Sequence, residues 1–139
     1  MFFHEARHIL AAAAILAAGT LLAGPICRAA GDDVRPVMTE KLSNFPGKSI
    51  TAIVVNYAPG AKSVKHHHAG SVLAYVLSGE IRSENSATGP VKVYRAGESF
   101  FEPPGSKHLV SENASATEPA SLLAIFVADD GAQLTIDDE

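Results

Sequence analysis

The chain has a single cysteine, Cys27, and no tryptophan. One thiol cannot close an intrachain disulfide, so the fold rests on its core or on something the core binds. Basic residues are in the minority, 11 Lys and Arg against 15 Asp and Glu, for a formal net charge of −4. That balance provides no attractive field for nucleic acid or an anionic membrane surface. Long apolar runs are also scarce. The longest, Ile9 to Leu22, is interrupted only by Gly19 and Thr20 and falls short of the ~20 residues a spanning helix needs. After residue 30 no stretch carries a helical period with capping residues, which excludes a helical bundle.

The apolar run sits in a recognisable context. Arg7, with His4 and His8, precedes it, helix-breaking Gly24-Pro25 follows it, and Cys27-Arg28-Ala29 offers small residues, Cys27 and Ala29, at both critical positions before a cleavage point. This is the layout of a secretory signal spanning residues 1–29. Gly24-Pro25-Ile26 is a poor match to a lipid-attachment box, so Cys27 is expected to leave with the signal. The expected product is exported, periplasmic or secreted, free of the membrane after cleavage, and without cysteine. Its roughly 110 residues suit one domain.

From residue 30 to 48 the chain is polar and contains Pro36 and Pro46, and reads as a linker or edge segment. From 49 to 130 short runs rich in β-branched and aromatic residues alternate with Gly and Pro turns. Strands are expected at 49–57, 64–68, 71–77, 80–84, 91–94, 98–102, 108–111 and 121–128. This spacing argues for an all-β sandwich or small antiparallel barrel. Residues 131–139 end in Asp137-Asp138-Glu139 and read as an acidic, solvated tail.

The richest local feature is His66-His67-His68, followed by His108 in Pro103-Pro104-Gly105-Ser106-Lys107-His108. On a strand, successive side chains face opposite ways. His66 and His68 therefore share a face, and His67 looks away from them toward an exposed or strand-edge position. Two imidazoles on one face, met by a third from a distant strand, can make a facial metal site. The triplet alone leaves open a solvated cluster with no site at all.

The surroundings of these histidines carry a resemblance. Gly60-Ala61-Lys62-Ser63-Val64-Lys65-His66-His67-His68, closed by Gly79, resembles the first motif of the cupins, a glycine, five residues and His-x-His. Gly97, Pro103, Gly105 and His108 resemble the second motif, and Asn113 lies one place beyond the asparagine that often ends it. The resemblance implies an antiparallel jelly-roll barrel, a double-stranded β-helix, with His66, His68 and His108 turned inward on one divalent metal. It also implies a homodimer paired edge to edge. The usual fourth ligand, a glutamate four residues after the second histidine, is absent: Val72 stands there, between Ser71 and Leu73.

A three-histidine face leaves the ion its full charge and several open positions, as in some cupin-like iron oxygenases and in zinc hydration chemistry. The expected activity is an oxygenase or related oxidoreductase on a small organic molecule, with iron or manganese as the first choice of metal and zinc or nickel as the second. The alternative is a non-catalytic cupin module that binds a small molecule or a metal, so catalysis itself is left open. Glu102, just before Pro103, is the candidate acid or base. Tyr75 is expected to pack in the core, Phe100 and Phe101 to line the barrel or a subunit contact. Asn113-Ala114-Ser115, although it has the form of a glycosylation site, reads as turn chemistry.

Overall fold

Alternation of apolar and polar residues makes each strand two-faced, and two such sheets bury their apolar faces against one another. A computed structural model describes residues 32–139. The expected signal segment, with Cys27, lies outside the described residues. These form ten strands and no helix. The strands are β1 (Asp32–Lys41), β2 (Lys48–Tyr57), β3 (His66–His68), β4 (Ser71–Ser78), β5 (Glu80–Asn85), β6 (Gly89–Arg95), β7 (Ser99–Glu102), β8 (Lys107–Asn113), β9 (Ala120–Asp129) and β10 (Thr135–Asp137).

Two five-stranded sheets result, one in the order β1-β2-β9-β4-β7 and the other β10-β3-β8-β5-β6, antiparallel throughout. Only β1–β2 and β5–β6 are hairpins within one sheet; every other connection carries the chain across to the opposite layer. The jelly-roll expectation is met. The inward positions of β4 and β9 show the clean alternation that sets this layer: Val72, Ala74 and Val76 on one, Leu122, Ala124 and Phe126 on the other, all buried. Phe126, Ile81, Val72 and Val76 are the largest fully buried side chains, each worth ~1.5–3 kcal/mol of transfer free energy.

Two glycines fit because nothing larger can. Gly70 joins β3 to β4 directly over β9, and a Cβ there would lie 2.2 Å from the Val127 carbonyl oxygen. Gly79 joins β4 to β5 at a φ of 68° and would drive a Cβ to 2.6 Å from the Pro119 carbonyl oxygen.

The structure decides one sequence expectation and corrects two. Of the two readings offered for residues 30–48, linker or edge segment, residues 32–41 take the second, as a full edge strand in register with β2 from Asp32↔Tyr57 to Lys41↔Ser49. Pro36 is tolerated because an edge strand needs ladder donors on one side only, and the register slips between Pro36 and Met38. The acidic tail is no loose end: Thr135–Asp137 pairs with all three histidines of β3, and the Asp138 amide donates to the Lys65 carbonyl. Tyr75 is 42% exposed, because the alternation that buries Ala74 and Val76 turns it outward with Leu73 and Leu77.

Candidate metal centre

His66 on β3 lies directly opposite His108 on β8. Directly paired residues of an antiparallel ladder share a face with their side chains close together. His68, two residues along β3, shares that face by alternation. All three are buried, at 7%, 6% and 3% exposure for His66, His68 and His108. One ring nitrogen from each can be chosen so that all three lie within 4.8 Å of one another. The ring centroids are 4.8 Å (His66–His68), 5.0 Å (His66–His108) and 6.5 Å (His68–His108) apart. The structure thus brings together three of the four histidines that the two motifs contain. His67 turns away, as alternation requires. It is not an edge residue, because β10 covers its strand, and its Nδ1 stands 2.8 Å from Asp138 Oδ1.

Hydrogen bonds fix two of the imidazoles. His66 Nδ1 donates to the Val64 carbonyl at 2.7 Å, and His68 Nδ1 to the Leu134 carbonyl at 3.0 Å. A carbonyl only accepts, so each Nδ1 bears the proton and each Nε2 keeps a free lone pair, the arrangement that orients a metal-binding imidazole. Thr135 Oγ1 lies 3.3 Å from the same His68 nitrogen. His108 is held from the other side, with Ser83 Oγ 2.8 Å from its Nε2. Its Nδ1 is buried with no hydrogen bond of good geometry, although the ring also lies against the Val110 backbone.

Glu102, at the end of β7, joins the group from the opposite sheet. It is 2% exposed. Its Oε2 is 3.1 Å from His108 Nδ1, and its Oε1 is 3.9 Å from His68 Nε2. Asn85 Nδ2 donates to Oε2 at 3.2 Å and is itself tied to Ser106 Oγ and the Ala87 amide.

The electrostatics follow from burial. Loss of hydration, then the neighbouring His66, lowers the pKa of His68 to about 4. Loss of hydration, then His66 and His68, lowers that of His108 to about 3. Loss of hydration raises Glu102 to about 7, against the opposing Asn85 hydrogen bond. Near pH 7 both shifted imidazoles are neutral, so the short His108–Glu102 contact is not an ion pair with imidazolium. Neutral imidazoles with unshared lone pairs are the form that ligates a metal. The orphaned His108 nitrogen, the two oriented Nε2 atoms and the donor types all fit one divalent cation.

These groups open onto a cavity of about 250 Å³ between the sheets. Its walls are mainly apolar, with Ile53, Val55, Phe100, Leu122 and Phe126 among the lining residues. Phe126 meets the His68 ring edge-on at 5.2 Å, and Phe100 meets His108 at 5.9 Å. Tyr57 adds a polar corner, its hydroxyl 3.0 Å from Ser63 Oγ and 2.9 Å from Ser111 Oγ. Val34, Val64, Thr135 and Asp137 line the cavity and also reach solvent, which places its mouth between β1 and β10.

A cupin domain profile matches residues 53–126, more than half of the chain. The chain belongs to the cupin family. Solved structures agree with the fold. A cupin-like protein from Thermotoga maritima msb8 is 21% identical, with a TM-score of 0.56 over 68% of this chain and 67% of that one. Bacillus subtilis oxalate decarboxylase, which has Mn(II) centers, is 26% identical, with a TM-score of 0.59 over 80% of this chain and 29% of that one. A DMSP lyase from Ruegeria pomeroyi DSS-3 is 20% identical, with a TM-score of 0.55 over 63% of this chain and 42% of that one. This cupin spans less than half of the length of the lyase and decarboxylase chains it matches. No curated protein sequence matches it.

Within this cupin, Ser83, Asn85, Leu134 and Thr135 support the site and were not singled out in the sequence. For β5 a signal exists: Ile81, Ser83 and Asn85 share the inward face, and polar residues at buried strand positions need partners. For Leu134 there is none, because it contributes a backbone carbonyl. Asn113 makes turn chemistry: its Oδ1 accepts from the Ser115 amide, and its Nδ2 donates to the Ala58 and Glu118 carbonyls.

Proposed function

We propose that this cupin is an exported mononuclear metal protein, an oxygenase or related oxidoreductase acting on a small organic molecule bound in the barrel. The observation that carries the reading is the convergence of His66, His68 and His108 inside a largely apolar cavity of about 250 Å³. Those three residues would hold one divalent cation, which when bound supplies Lewis acidity and, for iron or manganese, redox chemistry. Iron or manganese is preferred over zinc or nickel; the Mn(II) centers of a 26% identical relative support that order.

The chain's own groups define what it can take. The cavity volume limits the substrate to a small molecule, and its aliphatic and aromatic walls favour one with an apolar body. Tyr57, with Ser63 and Ser111, can hydrogen-bond one polar end of it, while Phe100 and Phe126 keep water from the histidines. Export rests on the signal pattern of residues 1–29. A homodimer is proposed to pair through the outer face of the first sheet and not edge to edge, because Met38, Ala52, Ile125, Leu73 and Phe101 form one cross-strand apolar row there. In sedimentation, the protein is expected as a dimer and Leu73→Glu as a monomer; a monomeric parent refutes pairing.

Protein purified without a histidine tag tests the activity. The expected result is one iron or manganese per chain and oxygen uptake with a small organic substrate. A small molecule that raises Tm without turnover assigns a binding role instead. Protein that carries no metal and gains no thermal stability from added divalent ions contradicts the reading.

A further inference from the structure

We propose that Glu102 is the fourth metal ligand of this cupin, delivered from β7 in place of the first-motif glutamate that Val72 replaces on β4. The inference rests on the three-histidine reading above and assigns the residue that completes it.

The register carries the argument. Val72 and Glu102 are direct cross-strand partners in the β4–β7 ladder. Their side chains therefore rise from the same face of the first sheet, with Cβ atoms roughly 5 Å apart. Both are buried, at 1% and 2% exposure. A carboxylate on β7 can thus reach toward the space that a carboxylate on β4 would have entered.

The distances agree. Donor atoms on adjacent corners of an octahedral ion with bonds of ~2.1 Å stand roughly 3 Å apart, and those on opposite corners roughly 4.2 Å. Glu102 oxygens stand 3.1 Å from His108 Nδ1 and 3.9 Å from His68 Nε2. At 3.1 Å the His108 nitrogen makes no hydrogen bond to that oxygen. Two donors that lie this close without bonding each other are placed to share a third partner. Asn85 holds the carboxylate from behind, at 3.2 Å, as ligating carboxylates are commonly held. Among the described residues that line the cavity none is Lys or Arg, so a cation on the imidazoles is the one positive charge at hand for a carboxylate buried there.

The test measures Mn(II) binding by calorimetry and by the EPR spectrum of the bound ion, in the parent protein, Glu102→Gln, and Glu102→Gln with Val72→Glu. Glu102→Gln is isosteric and keeps an Asn85 contact, so the barrel is expected to fold with unchanged circular dichroism. Its Mn(II) affinity is expected to fall at least tenfold with an altered spectrum, and Val72→Glu is expected to restore most of the affinity. Unchanged affinity and spectrum in Glu102→Gln, whatever happens to turnover, overturn the proposal and leave Glu102 a proton carrier. A parent that binds no Mn(II), iron, zinc or nickel sinks the three-histidine reading itself, which separates the two failures.

Discussion

Acidifying the metal-free protein from pH 6.5 to 4.5 should lower its stability by about 2 kcal/mol. In the unfolded chain a histidine titrates near 6.5, whereas burial holds His68 at about 4 and His108 at about 3 in the folded barrel. Across this window each unfolded histidine goes from half to fully protonated while its folded counterpart stays largely neutral, and each histidine withdraws about 2 kcal/mol. Glu102 acts in the opposite sense. Its folded pKa of about 7, against the ordinary 4.5, means that the native state binds a proton the unfolded chain binds only at lower pH. Acidification therefore returns about 2 kcal/mol through Glu102. The net loss corresponds to a Tm lower by roughly 10 °C for a domain of this size. Urea unfolding or thermal melts of chelator-treated protein at the two pH values read it directly. Glu102→Gln removes the compensating group, so its loss over the same interval should rise to about 4 kcal/mol. A stability that is flat or rises on acidification, or a variant that responds like the parent, refutes the electrostatic picture of the cavity.

Ser83→Ala removes the hydroxyl beside His108 Nε2, and metal affinity should weaken 10–100-fold, with a loss of about 1–3 kcal/mol in the metal-free protein from the buried nitrogen left without its partner. Truncation after Gly131 removes the Leu134 carbonyl that fixes His68 and the Asp138 partner of His67; calorimetry should show a similar loss of affinity, and undiminished affinity would mean that β10 does not position the site. Phe126→Ala empties a buried position next to His68 and should destabilise the barrel by about 3–5 kcal/mol, measured by urea unfolding. His67→Ala should reduce metal occupancy far less than alanine at His66, His68 or His108, since His67 faces Asp138 and not the other rings; equal loss in all four variants would contradict the alternation of β3.

The all-β architecture and the facing of the histidines were legible because both follow from period-two alternation and Gly/Pro punctuation. Where the alternation was clean, as in Ser71–Leu77 and Ser121–Ala128, strand positions came within a residue or two. β1 stays undecided between linker and edge segment in the sequence because an edge strand with one solvated side tolerates Pro36 and many charges. β10 was missed because three residues carry too little pattern to outweigh the acidic composition around them. Its pairing with β3 is a tertiary contact with no local signature. Glu102 stood in the sequence as a candidate acid or base, yet its approach to His108 depends on the β4–β7 register, which pairs it with Val72. That register is set by where the chain crosses between sheets, at Gly79 and again at 96–98, and not by residue type. Tyr75 was misplaced because its class favours burial while its parity on β4 turns it outward.

The most direct measurement is anomalous scattering from crystals of the protein loaded with manganese or iron. One peak is expected in the barrel, within bonding distance of His66, His68 and His108 and of a Glu102 carboxylate oxygen. A peak located elsewhere, or none in protein shown to be metal-loaded, would contradict the claim that strands β3 and β8 build a metal centre here.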